Sequence, residues 1–191
     1  MTRLSRRRLL TSCAAASMLA ATAFAAQAQP VRGGVLRLAV PARGSSALRG
    51  LVSATTVFNR LTATDADGGL RGELATAWEA SSDARDWSLT LRRDVQFHDG
   101  SPMTAADAAA SLATARALRH ELQVVHADGP DRVRIRLMAG NPGLPFLLSD
   151  ASLAITKDGL GTGPYKRTEA GLDAVEGYFD DRRPGWFDRI D

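Results

Sequence analysis

The clearest alternation of apolar and polar residues in this chain runs from residue 87 to residue 97. Trp87, Leu89 and Leu91 are apolar, and the residues between them are polar. A period of two places successive side chains on opposite faces of a strand, so this stretch predicts a half-buried β-strand with an apolar inner face. The alternation resumes at Val95 and Phe97, which continues the apolar face towards the turn that follows.

A tight turn and a helix are predicted directly after this strand. Asp99-Gly100 is typical of a turn, because glycine tolerates the positive φ that tight turns need. Thr104 is a favourable N-cap residue, and Asp107, three residues later, completes a carboxylate variant of the capping box. Beyond the cap, apolar residues recur at the spacing of one helix face, with Leu118 beside that face, at Ala108, Leu112 and Ala115.

The remaining apolar pattern predicts strands and helices on both sides of this unit. Residues 133–137 alternate Val, Ile and Leu with arginine, which predicts a strand whose arginines form the solvated face rather than an anion site. Leu122–Val125 is predicted to pair with it as a hairpin. The other predicted elements are a strand over 35–40, a helix from Leu51 to Leu61, a short helical or irregular segment over 74–78, a short helix from Phe146 and a strand over 153–156.

Residues 1–28 are interpreted as an export signal, and residues 29–191 as the mature chain. A basic start that contains Arg6 and Arg7 precedes an apolar, alanine-rich stretch, which ends in the small-x-small pattern of a cleavage site after Ala28. The consecutive arginines resemble a twin-arginine export motif, and an ordinary Sec signal is the alternative.

The charge balance changes once this signal is set aside. The whole chain has 24 Lys and Arg residues and 21 Asp and Glu residues, but residues 1–28 hold four arginines and no acid. The mature chain therefore has 20 basic and 21 acidic side chains, so no basic surface for nucleic acid is predicted. The single cysteine, Cys13, also lies in the signal, and the mature chain is predicted to need no disulfide.

Two sets of residues invite a chemical interpretation but are better explained structurally. His98, Asp99 and Ser101 include the residue types of a catalytic triad, but neighbours on one turn do not converge as a triad requires. His120 and His126 are too few and too irregularly placed to bind a metal without other ligands. The chain is therefore predicted not to be an enzyme and to use no cofactor or metal.

Several segments of the mature chain resemble, in order, the landmarks of one protein family. The most specific segment is Phe97–Asp107, which contains the turn and the helix cap described above. The others are Gly33–Ala39, Val57–Leu61, Leu74–Glu79, Asn141–Leu147, Gly161–Lys166 and Gly177–Ile190. Together they resemble extracellular solute-binding protein family 5, the periplasmic peptide-, dipeptide- and nickel-binding components of ABC importers.

The resemblance implies both a fold and a function. The implied fold is α/β, with a mixed parallel and antiparallel sheet and flanking helices, as an incomplete first lobe of a type II periplasmic binding protein. The implied function is a monomeric periplasmic component that captures peptides or similar small solutes for an inner-membrane ABC permease, without nucleic acid. Because the family continues through a second lobe, residues 29–191 are expected to be the amino-terminal part of the solute-binding domain. The alternative is a truncated remnant with only a structural lobe that binds nothing.

The resemblance also implies a candidate ligand site. In this family the segment between the first strand and Phe58 would border the cleft between the lobes. Leu51, Ser53 and Thr55 are the candidate ligand-binding residues there. Their spacing fits the predicted helix equally well, so ordinary helix positions are the alternative.

Overall fold

The computed structural model describes residues 32–39, 50, 52, 54–180 and 185–191. The proposed export signal, with Arg6, Arg7 and Ala28, lies outside these residues, as do Leu51 and Ser53. In chain order the strands are β1 (Val35–Leu36), β2 (Thr62–Thr64), β3 (Leu70–Gly72), β4 (Ala75–Ala80), β5 (Asp86–Leu91), β6 (Leu122–Ala127), β7 (Arg132–Leu137), β8 (Tyr165–Thr168), β9 (Gly171–Ala174) and β10 (Arg189–Ile190). The helices are α1 (Ala105–Thr114) and α2 (Leu144–Leu147), with 3₁₀ turns at Arg116–Leu118 and Ala151–Leu153. No helix in the described residues is long and apolar enough to cross a membrane.

The larger sheet contains four antiparallel strands in the order β4-β5-β7-β6. On the central strand β5, Leu89 lies opposite Trp78 of β4 and Val133 of β7. β6 and β7 form the hairpin that the sequence predicts. Burial alternates strictly along β7, with its apolar residues buried and its arginines exposed, which confirms that the arginines are the solvated face of this strand.

The core lies between the inner face of the larger sheet and helix α1. Leu89 and Leu91 of β5 are buried, as their alternation predicts, and they belong to the same apolar cluster as Leu112 of α1. The buried members of this cluster all lie between Leu61 and Ile155. Most of the hydrophobic stabilisation of the described chain is therefore concentrated around the larger sheet.

Helix α1 begins at the predicted capping box. The Asp107 amide donates a hydrogen bond to Thr104 Oγ1 at 3.3 Å, and the Thr104 amide donates to the Asp107 carboxylate at 2.9 Å. These two bonds give partners to amides that the start of a helix leaves unsatisfied. Lys157 Nζ also lies 3.0 Å from Asp107 Oδ1, which ties a distant loop to the start of the helix.

Three secondary-structure predictions are wrong in whole or in part. The predicted helix from Leu51 to Leu61 does not extend past residue 56, because the backbone of residues 57–61 bonds distant segments instead.

The other two wrong predictions also depend on contacts with distant segments. Residues 75–80 form strand β4 instead of a helical or irregular segment, because their backbone pairs with β5 along this stretch. Such pairing outweighs local spacing in strands. Residues 153–156 do not form a strand. Leu153 ends a 3₁₀ turn that Asp150 caps, and the Ile155 amide donates to Asn59 O at 2.8 Å.

A second sheet, here called the terminal sheet, joins the two ends of the described chain in the order β1-β10-β9-β8. β1 runs parallel to β10, whereas β10 with β9 and β9 with β8 are antiparallel pairs. The predicted mixed sheet is therefore confirmed. β1 is shorter than predicted, at two residues, and its partner strand β10 is equally short.

Candidate functional site

Two of the segments that resemble the family landmarks, Phe97–Asp107 and Gly161–Lys166, meet in space. The His98 amide donates to Gly161 O at 3.0 Å, and His98 Nε2 lies 3.0 Å from Gly163 O. Because a carbonyl oxygen only accepts, Nε2 carries the proton in this bond. His98 therefore holds the turn before α1 against the segment that leads into β8, which places both segments beside one surface groove.

The two glycines of the second segment lie directly against the backbone at Val57. The Gly163 amide donates to Val57 O at 2.9 Å. A Cβ atom on Gly163 would stand 2.5 Å from the Val57 carbonyl carbon, and one on Gly161 would stand 2.9 Å from the same atom. Real Cβ atoms do not approach backbone so closely, so this contact requires glycine at both positions.

A buried polar cluster centred on Asn59 lies next to these glycines. Asn59 is 2% exposed, and its amide oxygen accepts a hydrogen bond from Thr162 Oγ1 at 3.0 Å. Asn59 Nδ2 donates both to Glu73 Oε1 at 3.1 Å and to the Tyr178 phenol oxygen at 2.8 Å. The carboxylate of Glu73 accepts only, which fixes the amide nitrogen on that side. One side chain thus connects three distant segments.

The charge of Glu73 is compensated by its neighbour Arg60. Glu73 Oε2 accepts from the Arg60 amide at 2.8 Å and from Arg60 Nε at 3.2 Å. A buried carboxylate is tolerated when it is paired and hydrogen bonded in this way. Burial raises the pKa of Tyr178 to about 12, and the nearby carboxylate of Glu73 acts in the same direction. Tyr178 is therefore neutral at physiological pH.

The groove beside this cluster has a volume of about 490 Å³. The residues that line it include Tyr178, Thr162 and His98, together with charged residues of both signs. The charged residues that line it are Asp94, Lys166, Asp173 and Glu176. The groove can therefore offer hydrogen-bond donors and acceptors together with both charges to a polar solute.

A second concavity, of about 520 Å³, lies on the outer face of the larger sheet. Two of the arginines on its wall are paired, Arg134 with Asp128 at 2.8 Å and Arg136 with Asp86 at 2.6 Å. The pKa of Asp86 is lowered by its hydrogen bond from Arg136. These pairs neutralise most of the positive charge expected from an arginine strand, and the concavity is an ordinary solvated sheet face.

Thr55 is the one candidate ligand-binding residue within the described part of the chain. It is exposed, in a short helical stretch over residues 54–56. Its hydroxyl donates to Val52 O at 3.1 Å. Thr55 does not line the groove beside Asn59, although it lies two residues before Val57. Its role as a ligand-binding residue stays a prediction, as do those of Leu51 and Ser53.

The structure gathers residues that sequence reasoning does not single out. Asn59, Glu73, Thr162 and Tyr178 are far apart in the chain, and each is an ordinary polar residue in its own segment. The one available signal is that Asn59, Thr162 and Tyr178 fall within segments that resemble the family landmarks. Neither their burial nor their mutual contact follows from that signal.

The turn residues His98, Asp99 and Ser101 do not form a triad. Ser101 donates both its amide, at 2.9 Å, and its hydroxyl, at 2.7 Å, to Asp99 Oδ1. The hydroxyl bond is the main cause of the lowered pKa of Asp99. The imidazole of His98 contacts a backbone carbonyl instead, so all three groups shape the turn. Within the residues that the structure describes, no cluster of three or more metal-binding side chains is present.

Acidification should weaken the fold through His98. Burial lowers its pKa below the ordinary 6.5, so the unfolded chain takes up a proton at a higher pH than the folded one. The free energy of unfolding should therefore fall as the pH decreases from about 7 to about 5. We expect urea unfolding of His98→Gln to show a smaller decrease over this range. The control His126→Gln, at an exposed position on β6, should show the same decrease in the free energy of unfolding as the unchanged chain. If both variants reduced this pH dependence equally, its assignment to His98 would be wrong.

Solved structures define the class to which this fold belongs. NikA from Brucella suis, solved with Fe(III)-EDTA, superposes with a TM-score of 0.70 and 25% identity, and the match covers 82% of this chain and 38% of that one. DppA from Helicobacter pylori, solved with the peptide STSA, superposes with a TM-score of 0.67 and 16% identity over 85% of this chain and 43% of that one. The fold is an incomplete first lobe of a type II periplasmic binding protein.

The family follows from the sequence. Residues 69–190 match the family described as bacterial extracellular solute-binding proteins, family 5 Middle. The chain belongs to this family, which confirms the resemblance drawn from its motifs. It is also 32% identical over 100 residues to the probable D,D-dipeptide-binding periplasmic protein DdpA of Escherichia coli K12. That match covers 47% of this chain and 19% of the relative, so the chain spans about a fifth of the relative's length.

Proposed function

We propose that this chain forms one side of the periplasmic substrate-binding component of an ABC importer, with peptides or similar small solutes as its cargo. The match of residues 69–190 to a solute-binding family carries this proposal. The probable D,D-dipeptide-binding relative supports a short peptide as the cargo. The family is one of binding proteins rather than enzymes, in line with the structural bonds made by His98 and Ser101.

Export would precede binding. The basic start with Arg6 and Arg7, the alanine-rich stretch and the small-x-small pattern before Ala28 support cleavage to a mature chain that begins at residue 29. In the periplasm, the loaded protein would act as a monomer and deliver its solute to an inner-membrane permease.

Capture would depend on closure of two lobes around the solute. A ligand that contacts both lobes stabilises the closed state, because those contacts exist together only in that state. Extended main-chain contacts would hold peptides of varied sequence. On this chain we assign Leu51, Ser53 and Thr55 to the edge of the cleft. The exposed position of Thr55, close to the well-packed backbone of Val57, supports a rigidly placed contact there.

NMR titration with D-Ala-D-Ala and L-Ala-L-Ala would test this function and its site. We expect amide shifts at residues 51–56 and a Kd of about 1 mM or weaker, equivalent to about −4 kcal/mol, because one lobe supplies only part of the contacts. The double change Ser53→Ala with Thr55→Ala should reduce these shifts. The control Ser88→Ala, on the outer face of the larger sheet, should not.

Each other outcome has a definite meaning. An absence of shifts with either dipeptide would favour the non-binding structural lobe. Shifts confined to the groove beside Asn59 would refute the assigned residues and leave solute binding intact. Micromolar affinity would show that this chain alone holds a complete site. Hydrolysis of the dipeptide, detected as free alanine, would contradict a binding protein.

A further inference from the structure

The terminal sheet contributes little to the apolar core. None of the buried residues of the main cluster belongs to β1, β8, β9 or β10. All residues of β9 are half-buried, and Val35 of β1 is 51% exposed. Tyr165 and Ile190 are the buried apolar residues of these four strands. Hydrophobic burial therefore holds this sheet much less firmly than it holds the larger sheet.

The attachment between the terminal sheet and the rest of the described chain is largely polar. Asn59 is the centre of this attachment, since it bonds Tyr178 and Thr162 on the side of the terminal sheet and Glu73 on the side of the larger sheet. His98 adds its two bonds to the backbone at Gly161 and Gly163. Phe179 adds a half-buried apolar contact, with Arg92 stacked 5.2 Å from its ring centre.

Such an attachment breaks in a cooperative manner. If the terminal sheet moves away, the side chain of Asn59 loses two of its three hydrogen bonds, and water must enter to solvate a residue that is 2% exposed. A buried polar group that loses one hydrogen-bond partner costs the free energy of its desolvation, and a stretched hydrogen bond recovers little of that free energy. Segments that are joined in this way open as units, at a free energy below that of complete unfolding.

We propose that the Asn59 cluster is a latch, and that the terminal sheet opens from the larger sheet as a separate unit when this latch breaks. The larger sheet, α1 and their core remain folded in the open state. Beside the latch, the Gly163 amide bonds the backbone of Val57, which continues directly into the segment of Thr55. Opening of the terminal sheet therefore also releases the anchor of that segment. The proposal concerns the folded chain itself and does not depend on its being a solute carrier.

Hydrogen–deuterium exchange of the whole chain, read by mass spectrometry, tests the latch. In the unchanged chain, we expect amides of β8, β9 and β10 to exchange through an opening that leaves β5 and β7 protected. In Asn59→Ala, exchange in the terminal sheet should accelerate by about tenfold or more, since Thr162, Glu73 and Tyr178 all lose a partner. β5 and β7 exchange only on complete unfolding, which also breaks the latch. Their opening free energy should therefore stay above that of the terminal sheet by about the same margin as in the unchanged chain.

Two further variants make the result decisive. Tyr178→Phe removes one acceptor from Asn59, and it should accelerate exchange in the same strands by a smaller factor. It also keeps the test informative if Asn59→Ala does not fold. Asn141→Ala is the matched control, because Asn141 bonds Glu121 at 2.7 Å and the Gly143 amide at 2.9 Å, away from the terminal sheet. Its terminal-sheet rates should match those of the unchanged chain.

The proposal fails under either of two results. Equal opening free energies for both sheets in the unchanged chain would show that they unfold as one unit. If Tyr178→Phe left the terminal-sheet rates unchanged and accelerated only β5 and β7, the cluster would stabilise the larger sheet itself and would not be a latch.

Discussion

Replacing Gly163 with alanine is expected to lower the free energy of unfolding by about 3 kcal/mol or more, because overpacking and lost hydrogen bonds add. The new Cβ would stand 2.5 Å from the Val57 carbonyl carbon, and the atoms nearest to it all belong to the backbone of Thr56 and Val57, so no flexible side chain can move aside. The separation needed to relieve this clash would break the bond from the Gly163 amide to Val57 O and weaken that from His98 to Gly163 O. Urea unfolding followed by tryptophan fluorescence measures the loss.

Gly50→Ala is the matched control for this prediction. A Cβ on Gly50 meets nothing within 4 Å, and its backbone is helical without a positive φ. Since alanine favours helices over glycine by about 1 kcal/mol, this variant should be neutral or slightly more stable. If the two alanine variants had similar free energies of unfolding, the close contact between Gly163 and the backbone of Val57 would be contradicted.

Replacing Leu89 with alanine is expected to cost about 3 kcal/mol, within the range for large-to-small changes in a core. Leu89 is fully buried on the central strand β5, between Trp78 and Val133 of the neighbouring strands and within the cluster that includes α1. Removal of its isobutyl group would leave a cavity that strands on both sides prevent from closing. The midpoint and the m-value of urea unfolding together report the change.

The adjacent residue Thr90 provides the control for Leu89. Its side chain lies on the opposite face of β5 and is partly exposed, so Thr90→Ala should change stability by no more than about 0.5 kcal/mol. Similar losses in the two variants would contradict the orientation of β5, because a strand in that register buries alternate residues only.

The local patterns predicted the larger sheet and its helix well because their causes are local. The alternation from Trp87 to Leu91 follows directly from strand geometry once one face is buried. The capping box of Thr104 and Asp107 closes within four residues. The prediction failed at residues 75–80, where the spacing of Leu74, Ala77 and Trp78 fits a helix and the partner strand β5 decides the outcome.

The candidate site was predictable only as a set of segments. The segments of Phe97 and Gly161 were recognised in the sequence, but their contact through His98 was not. Asn59 carries no local sign of burial, because an asparagine is mostly exposed and becomes buried only when all its hydrogen bonds find partners. Those partners lie 14, 103 and 119 residues away in the chain.

The sequence by itself determined the alternating strands β5 and β7, the turn at Gly100, the cap of α1 and the family of the protein. The strands, the turn and the cap depend on residue types at short, regular spacings, which backbone geometry converts directly into structure, whereas the family follows from the resemblance of several ordered segments. Only the tertiary structure decided the parallel pairing of β1 with β10, the contact of Gly163 with Val57 and the cluster around Asn59. These contacts join segments that are distant in the chain, and their partners are selected by the packing of the whole unit rather than by any local preference.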